Sequence, residues 1–387
     1  MRALTFDERE ESWSSSRGMV LRDVPRPVLD PQRDPKDAER VIAKVKLAGF
    51  CGTDRGLWAR KALGDMVEGS MKSRGEPVRI FGHECLAEIV EMGPAIAASG
   101  KFKIGEMVTA ESHLVCGRCH QCLGGQHHVC ANEQILGVSV NGCFADYVKL
   151  PADALWKIDL DKIRPEIASI QEPFGNAVHA CQSTDLRGKR VAIFGTGTIG
   201  MFAILVARGM GASRVFGIDP NPAQRELALK LGCDAVFDPR RAPKDTPWAH
   251  DPNIVTAIKD QTYGIGADVC LEMAGYPDSV NNAIQCARRG GEIVLFGVRD
   301  GNVVIENCQH VIMNGLKLQG IVGRQLWNTW IVGRSLLEDP TNGIQDAIWE
   351  HILDQGRGPI VSMKNWDVPA FEEALTKWPK LVLNFDD

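Results

Sequence analysis

Four cysteines follow one another as Cys116-x2-Cys119-x2-Cys122-x7-Cys130, with Gly117, Gly124 and Gly125 between them. Four thiolates this close suit a closed tetrahedral zinc site, which pins a loop too polar to hold itself with a core. The spacing before the last cysteine favours zinc over an iron–sulfur cluster or unpaired thiols. Four thiolates saturate the ion, so His120, His127 and His128 read as surface histidines. A second constellation is Gly195-Thr-Gly197-Thr-Ile199-Gly200, with Asp219 19 residues beyond the last glycine. It lies between an apolar run at 190–194 and a helical pattern at 201–208, the setting a dinucleotide needs. Gly195 allows the tight turn, Gly197 lets the pyrophosphate approach, and Gly200 lets helix and strand pack closely. The helix start, with Ile199 in its first turn, offers free N–H groups and a positive dipole end to the phosphates. Asp219 would accept the adenosine ribose hydroxyls and repel a 2′-phosphate, which favours NAD over NADP.

The elements around these groups are of two kinds. Up to about residue 50 the pattern is β-rich, with runs at 20–24 and 41–47 separated by a Pro- and Asp-rich loop. Cys51 ends a strand-like run. A partly charged segment, 55–79, leads to Phe81-Gly82-His83-Glu84, a strand pattern at 86–90, a turn and strand at 103–108, and then the cysteines. After Pro173 a helix leads to the glycine turn. Strand and helix patterns then alternate: strands at 235–237, 268–272, 292–296 and 316–322, helices at 254–261, 280–287 and 324–337. Such alternation specifies an α/β fold with a parallel sheet. Trp327 and Trp330, one turn apart, read as packing residues.

Composition narrows the class. The 387 residues suffice for two domains, and 44% hydrophobic with 24% charged residues is ordinary for a globular protein. A net charge of −5 argues against a nucleic-acid partner. The longest uncharged run, 191–207, is too short to span a membrane. The start of the chain lacks the apolar core of a secretory signal. With twelve clustered cysteines, the expectation is metal binding in a reducing cytoplasm rather than disulfides.

With these pieces in view the chain resembles the medium-chain, zinc-dependent alcohol dehydrogenase superfamily over essentially its whole length, and within it the threonine dehydrogenase branch. The shared phrases are Cys51-Gly-Thr-Asp54, Gly82-His-Glu84, the four-cysteine lobe, Gln171-Glu-Pro-Phe-Gly-Asn-Ala-Val178, Leu271-Glu-Met-Ala-Gly275 and Gly320-Ile-Val-Gly-Arg324. The resemblance implies a GroES-like β-rich catalytic domain from residues 1–172 and 323–387, carrying a zinc lobe at 113–131. A Rossmann domain with a doubly wound parallel sheet, 173–322, would lie between. It implies two zinc ions per subunit and NAD, with Arg225, Phe296, Gly297, Val298, Ile321 and Val322 joining the glycine turn and Asp219 at the cofactor. A homotetramer is expected, with a dimer as the alternative.

The resemblance also assigns the catalytic zinc to Cys51, His83 and Glu172, with Glu84 either a fourth ligand that yields to substrate or a group behind the ligands. One thiolate, one imidazole and one carboxylate leave an open position, the mark of a catalytic site. Asp54 would orient His83. Zinc lowers the pKa of bound water from 15.7 to about 7 and acidifies an alcohol likewise. Thr53 would take the alcohol proton while hydride passes to the nicotinamide. The pattern departs in one place: many relatives carry a histidine five residues after the zinc cysteine, where this chain has Gly56. His113 matches a histidine that threonine dehydrogenases keep near the active site.

The leading expectation is oxidation of a secondary alcohol to a ketone, with L-threonine or a related β-hydroxy amino acid as substrate. Its carboxylate needs a cation, for which Arg55, Arg60 and Arg324 are candidates. A polyol or sugar substrate is the alternative, since the 55–79 segment is longer than in threonine dehydrogenases. A non-catalytic NAD- and zinc-binding protein is the distant third, because that reading predicts broken ligands and none is broken.

Overall fold

The computed structural model describes residues 1–298 and 301–387. They form two compact units, Met1–Pro173 with Ile348–Asp387, and Phe174–Ala347. The first division falls beside the expected one. The second lies at 347/348 instead of 322/323, because the helices Asn328–Glu338 and Ile344–Ala347 pack within the second unit, with Ile344 and Leu336 against Gly209.

The first unit is mostly antiparallel. A three-stranded sheet joins β1 (Arg2–Asp7), β2 (Val20–Asp23) and β4 (Val78–Ile80). The main sheet centres on β3 (Arg40–Phe50), flanked by β5 (Glu84–Met92), and continues through β6 (Met107–Ala110). Two short strands, β7 (His113–Leu114) and β8 (Gln134–Ile135), pair as the stem of the cysteine loop. The sheet is completed by β9 (Tyr147–Pro151) and β10 (Leu155–Lys157). The alternating and apolar runs read from the sequence thus become strands, buried around Phe50, Phe81, Phe144 and Phe371. The partly charged 55–79 segment, for which the sequence indicates no element, lies largely in α1 (Gly52–Trp58) and α2 (Gly64–Arg74).

The second unit holds six parallel strands: β11 (Arg190–Phe194), β12 (Arg214–Ile218), β13 (Ala235–Phe237), β14 (Ala267–Glu272), β15 (Ala287–Leu295) and β16 (Lys317–Gly320). Their order is β13-β12-β11-β14-β15-β16. The chain therefore reverses direction across the sheet between β11 and β14, and in open α/β sheets ligands bind outside the carboxyl ends at that point. Near-continuous apolar strands such as Val191 to Phe194 follow from burial on both faces. Among the described residues, no helix is long and apolar enough to cross a membrane.

Back in the first unit, the last two strands, β17 (Ile360–Ser362) and β18 (Leu381–Asn384), come from the C-terminal segment. β18 pairs with β3 so that Leu381 faces Phe50 and Val382 faces Gly49, while β5 sets Glu84 opposite Gly49 from the other side. Three distant stretches thereby end together beside Cys51.

Candidate metal centre and dinucleotide crevice

Cys51 follows the last residue of β3 and caps α1. Its Sγ accepts the N–H of Thr53 at 3.2 Å, and its own N–H donates to Asp54 Oδ2 at 3.0 Å. Such a reciprocal cap satisfies donors that a helix start leaves unpaired. The structure brings Cys51, His83 and Glu84 together with their ligand atoms within 4.8 Å of one another. Cys51 Sγ lies 3.1 Å from His83 Nε2, and His83 Nδ1 is 3.4 Å from Asp54 Oδ1. Glu84 is fully buried: its Oε2 pairs with the Lys380 ammonium, and among the described residues its Oε1 has no hydrogen-bond partner. Gly49 makes room for it, since a Cβ there would sit 1.9 Å from Glu84 Oε2.

Burial raises the pKa of the Cys51 thiol, against the pull of His83. Burial disfavours a charged His83, yet Asp54 and Cys51 outweigh it and lift the imidazole well above its ordinary value. A buried thiol and imidazole in contact, with a buried carboxylate within 4.8 Å, form a donor set suited to a cation such as zinc.

Glu172 stands outside that close group. It lies in the first turn of the helix Gln171–Gln182, buried, and accepts the Ser112 hydroxyl at 2.6 Å. His113 is bonded to Glu133 at 2.9 Å. At Gly56 a side chain would meet Ala62 Cβ at 2.7 Å, so this backbone leaves no room for a relay histidine.

Two arginines expected as substrate candidates have structural work instead. The Arg55 guanidinium donates to the carbonyls of Leu375, Trp378 and Pro379. Arg60 lies 4.6 Å from the Trp13 ring centre and 5.0 Å from that of Phe6, and pairs with Glu11 at 3.3 Å. Carbonyls thus engage Arg55, and aromatic rings with Glu11 engage Arg60. Arg324, within the second unit, is buried and donates to Asn176 Oδ1 at 2.8 Å.

The four lobe cysteines converge without disulfides: Cys116 and Cys130 sulfurs are 3.6 Å apart, and Cys119 and Cys130 3.8 Å. The N–H groups of Cys116 and Asn132 donate to Cys130 Sγ at 3.3 and 3.4 Å. The backbone N–H of Arg118 leads the groups that lower the Cys116 thiol to about 6, while burial pushes Cys122 up to about 12. A cation among the four sulfurs offsets that burial cost, so the lobe fits zinc.

In the second unit, the glycine turn follows β11. Gly195 has φ +87°, a conformation that favours glycine, and a Cβ on Gly200 would fall 2.0 Å from the Gly195 carbonyl oxygen. Gly197, which caps the helix Thr198–Gly209 containing Ile199, borders open space. Asp219, just past β12, accepts Thr196 N–H at 2.8 Å and Asn221 N–H at 2.9 Å, so it shapes the turn as well. Arg225 donates to the Asp219 carbonyl at 2.8 Å and pairs with Asp238 at 3.2 Å. Phe296, Gly297 and Val298 follow β15, and Ile321 and Val322 follow β16; Val298 is 90% exposed. Gly195, Asp219, Phe296 to Val298, Ile321 and Val322 thus follow carboxyl ends of strands, Ile199 and Gly200 lie in the first turn of the helix Thr198–Gly209, and Arg225 lies in the helix Pro222–Lys230. Sequence reading missed Ser112 and Lys380; the sole hint of the latter is a lone lysine ahead of the apolar run 381–383.

Comparison with known proteins gives the family. Residues 37–160 match the Alcohol dehydrogenase GroES-like domain family, and residues 198–338 the Zinc-binding dehydrogenase family. The chain is 39% identical over 300 residues to the L-threonine 3-dehydrogenase of Caldanaerobacter subterraneus subsp. tengcongensis, across 78% of this chain and 80% of that one. It is 39% identical over 321 residues to the L-threonine 3-dehydrogenase of Symbiobacterium thermophilum, across 82% and 83%. A solved alcohol dehydrogenase from Thermus sp. ATN1 shares the fold, with a TM-score of 0.79 at 21% identity over 99% of each chain. Fold and site together define an oxidoreductase acting on CH–OH groups, with zinc and a nicotinamide cofactor. The chain belongs to the medium-chain, zinc-dependent alcohol dehydrogenase superfamily.

Proposed function

We propose that the protein oxidises L-threonine or a related β-hydroxy amino acid with NAD. The observation that carries a catalytic centre is the contact of Cys51 Sγ with His83 Nε2, backed by Asp54 and bordered by the unpartnered Glu84 Oε1. The names of the relatives support the substrate class. Cys51, His83 and Glu172 would hold the catalytic zinc, with Glu84 in reach as an exchangeable carboxylate; the four lobe cysteines would hold a second, structural ion. When bound, the catalytic zinc supplies acidification of the substrate alcohol.

The protein groups do the rest. Asp54 fixes the ring of His83 and the backbone of Cys51. Thr53, in the first turn of α1, takes the alcohol proton at Oγ1. The relay from there ends in water, since Gly56 offers no group. Glycines 195, 197 and 200 and Asp219 hold the NAD, with Arg225 steadying Asp219. Phe296, Gly297, Val298, Ile321 and Val322 bound the nicotinamide end. A cytoplasmic homotetramer, with a dimer as the alternative, is the assembly we propose; light scattering on the purified protein tests it.

A polyol or sugar substrate is the second reading, favoured by the internal engagement of Arg55 and Arg60. The test is NADH formation by zinc-loaded protein with L-threonine, L-serine, polyols and aldoses, each with NAD and then NADP. Turnover on L-threonine with NAD supports the first reading. Silence there, with activity on a polyol or sugar, replaces it by the second.

A further inference from the structure

The engagement of Arg55 links two ends of the chain. Arg55 lies in the second turn of α1, four residues beyond Cys51. Its guanidinium donates to the carbonyl of Leu375, to that of Trp378 at 2.6 Å and to that of Pro379 at 3.4 Å. Leu375 is in the last turn of the helix Val368–Lys377, whose final carbonyls have no partner within the helix. One planar fork thus satisfies the helix end and the two residues after it, a task suited to arginine's fixed donors.

The next residue is Lys380, fully buried, whose ammonium holds Glu84 Oε2. Around this strap the packing is aromatic. Trp58 and Phe371 rings lie 4.8 Å apart, Phe50 and Phe371 rings 5.0 Å apart, and Trp58 Nε1 donates to Glu372 at 3.1 Å. The helix that begins at Cys51 and the strap that ends at Lys380 are thereby one body. Glu84 is held in the group beside Cys51 and His83 through Oε2 alone, since its Oε1 has no hydrogen-bond partner among the described residues.

We propose that Arg55 is a positioning residue for the metal centre: by fixing the carbonyls of Leu375, Trp378 and Pro379 just ahead of β18, it fixes Lys380, and through Lys380 it sets how far the Glu84 carboxylate reaches toward Cys51 and His83. This rests on the reading of Cys51 and His83 as metal ligands. An arginine that only capped a helix would affect stability and nothing at the metal.

The test uses cobalt-exchanged full-length protein, with the visible spectrum of C51A subtracted so that the lobe ion cancels. The difference spectrum reports the number and kind of ligands at the Cys51 centre. R55M should change that spectrum and lower kcat by between about tenfold and a hundredfold, the cost of a small misplacement at a reacting centre. The KM for NAD should stay put, and R55K should fall between R55M and the wild type. The double variant R55M/K380M should be no slower than K380M, because both act through one contact. An unchanged difference spectrum in R55M, or losses that multiply in the double variant, overturns the proposal. If R55M does not fold, R55Q, too short to span the three carbonyls, is read in the same way. A wild-type spectrum identical to that of C51A would instead refute the metal centre itself.

Discussion

Asp54 touches both candidate ligands from one carboxylate: Oδ2 accepts the N–H of Cys51 at 3.0 Å, and Oδ1 lies 3.4 Å from His83 Nδ1. The aspartate is fully buried beside both of them. Replacing it by asparagine removes the charge that steadies the imidazole and keeps the shape. Groups of this kind cost about 10–100-fold in metal affinity or activity when lost. D54N should show that loss in zinc retention against a chelator.

Lys380 and Glu84 form a fully buried ion pair. Breaking such a pair strands a charge at a cost of about 3–5 kcal/mol. K380M should therefore lower the unfolding free energy by that amount in urea titrations. K380M/E84Q, which removes both charges, should recover most of it.

Asp37 gives a pH signature away from the centre. Burial alone would raise its pKa, but the Asp30 N–H, Arg40 and Lys149 overcome it and hold the carboxyl at about 2, below the ordinary 3.8. A depressed folded value means the stabilisation is complete above pH 4 and is lost as pH falls through 2. The gap of roughly two units is worth about 2–3 kcal/mol. The difference in unfolding free energy between wild type and D37N should be largest near neutrality and shrink by about that amount toward pH 2.

The lobe prediction is local. C119S should leave the protein short of one zinc and let the 115–131 loop exchange its amide hydrogens faster, while β11 to β16 keep their protection. Hydrogen exchange followed by mass spectrometry reads both regions at once.

Much of this was legible because it is local. Four cysteines at fixed spacing can meet only around one point, and the turn at Gly195 needs a positive φ wherever it folds. Strands 190–194 and 235–237 coincide with the structure because uninterrupted apolar runs between turns have few other solutions. Pairings set by tertiary packing were not legible. Lys380 and Glu84 are 296 residues apart, and only the register of β3 with β5 and β18 brings them together. Arg55 and Arg60 carry no mark in sequence that separates an exposed arginine from one consumed by carbonyls and aromatic rings. The helix α2 is not legible because only Val67 and Met71 of its side chains are buried, too few to print a period.

Metal content with turnover in C51A shows whether Cys51 and His83 hold a catalytic zinc in a dehydrogenase. The wild type should carry two zinc ions per chain, and C51A one. C51A should bind NAD as the wild type does and form no ketone. A C51A protein that keeps both ions and turns over at the wild-type rate would contradict the account.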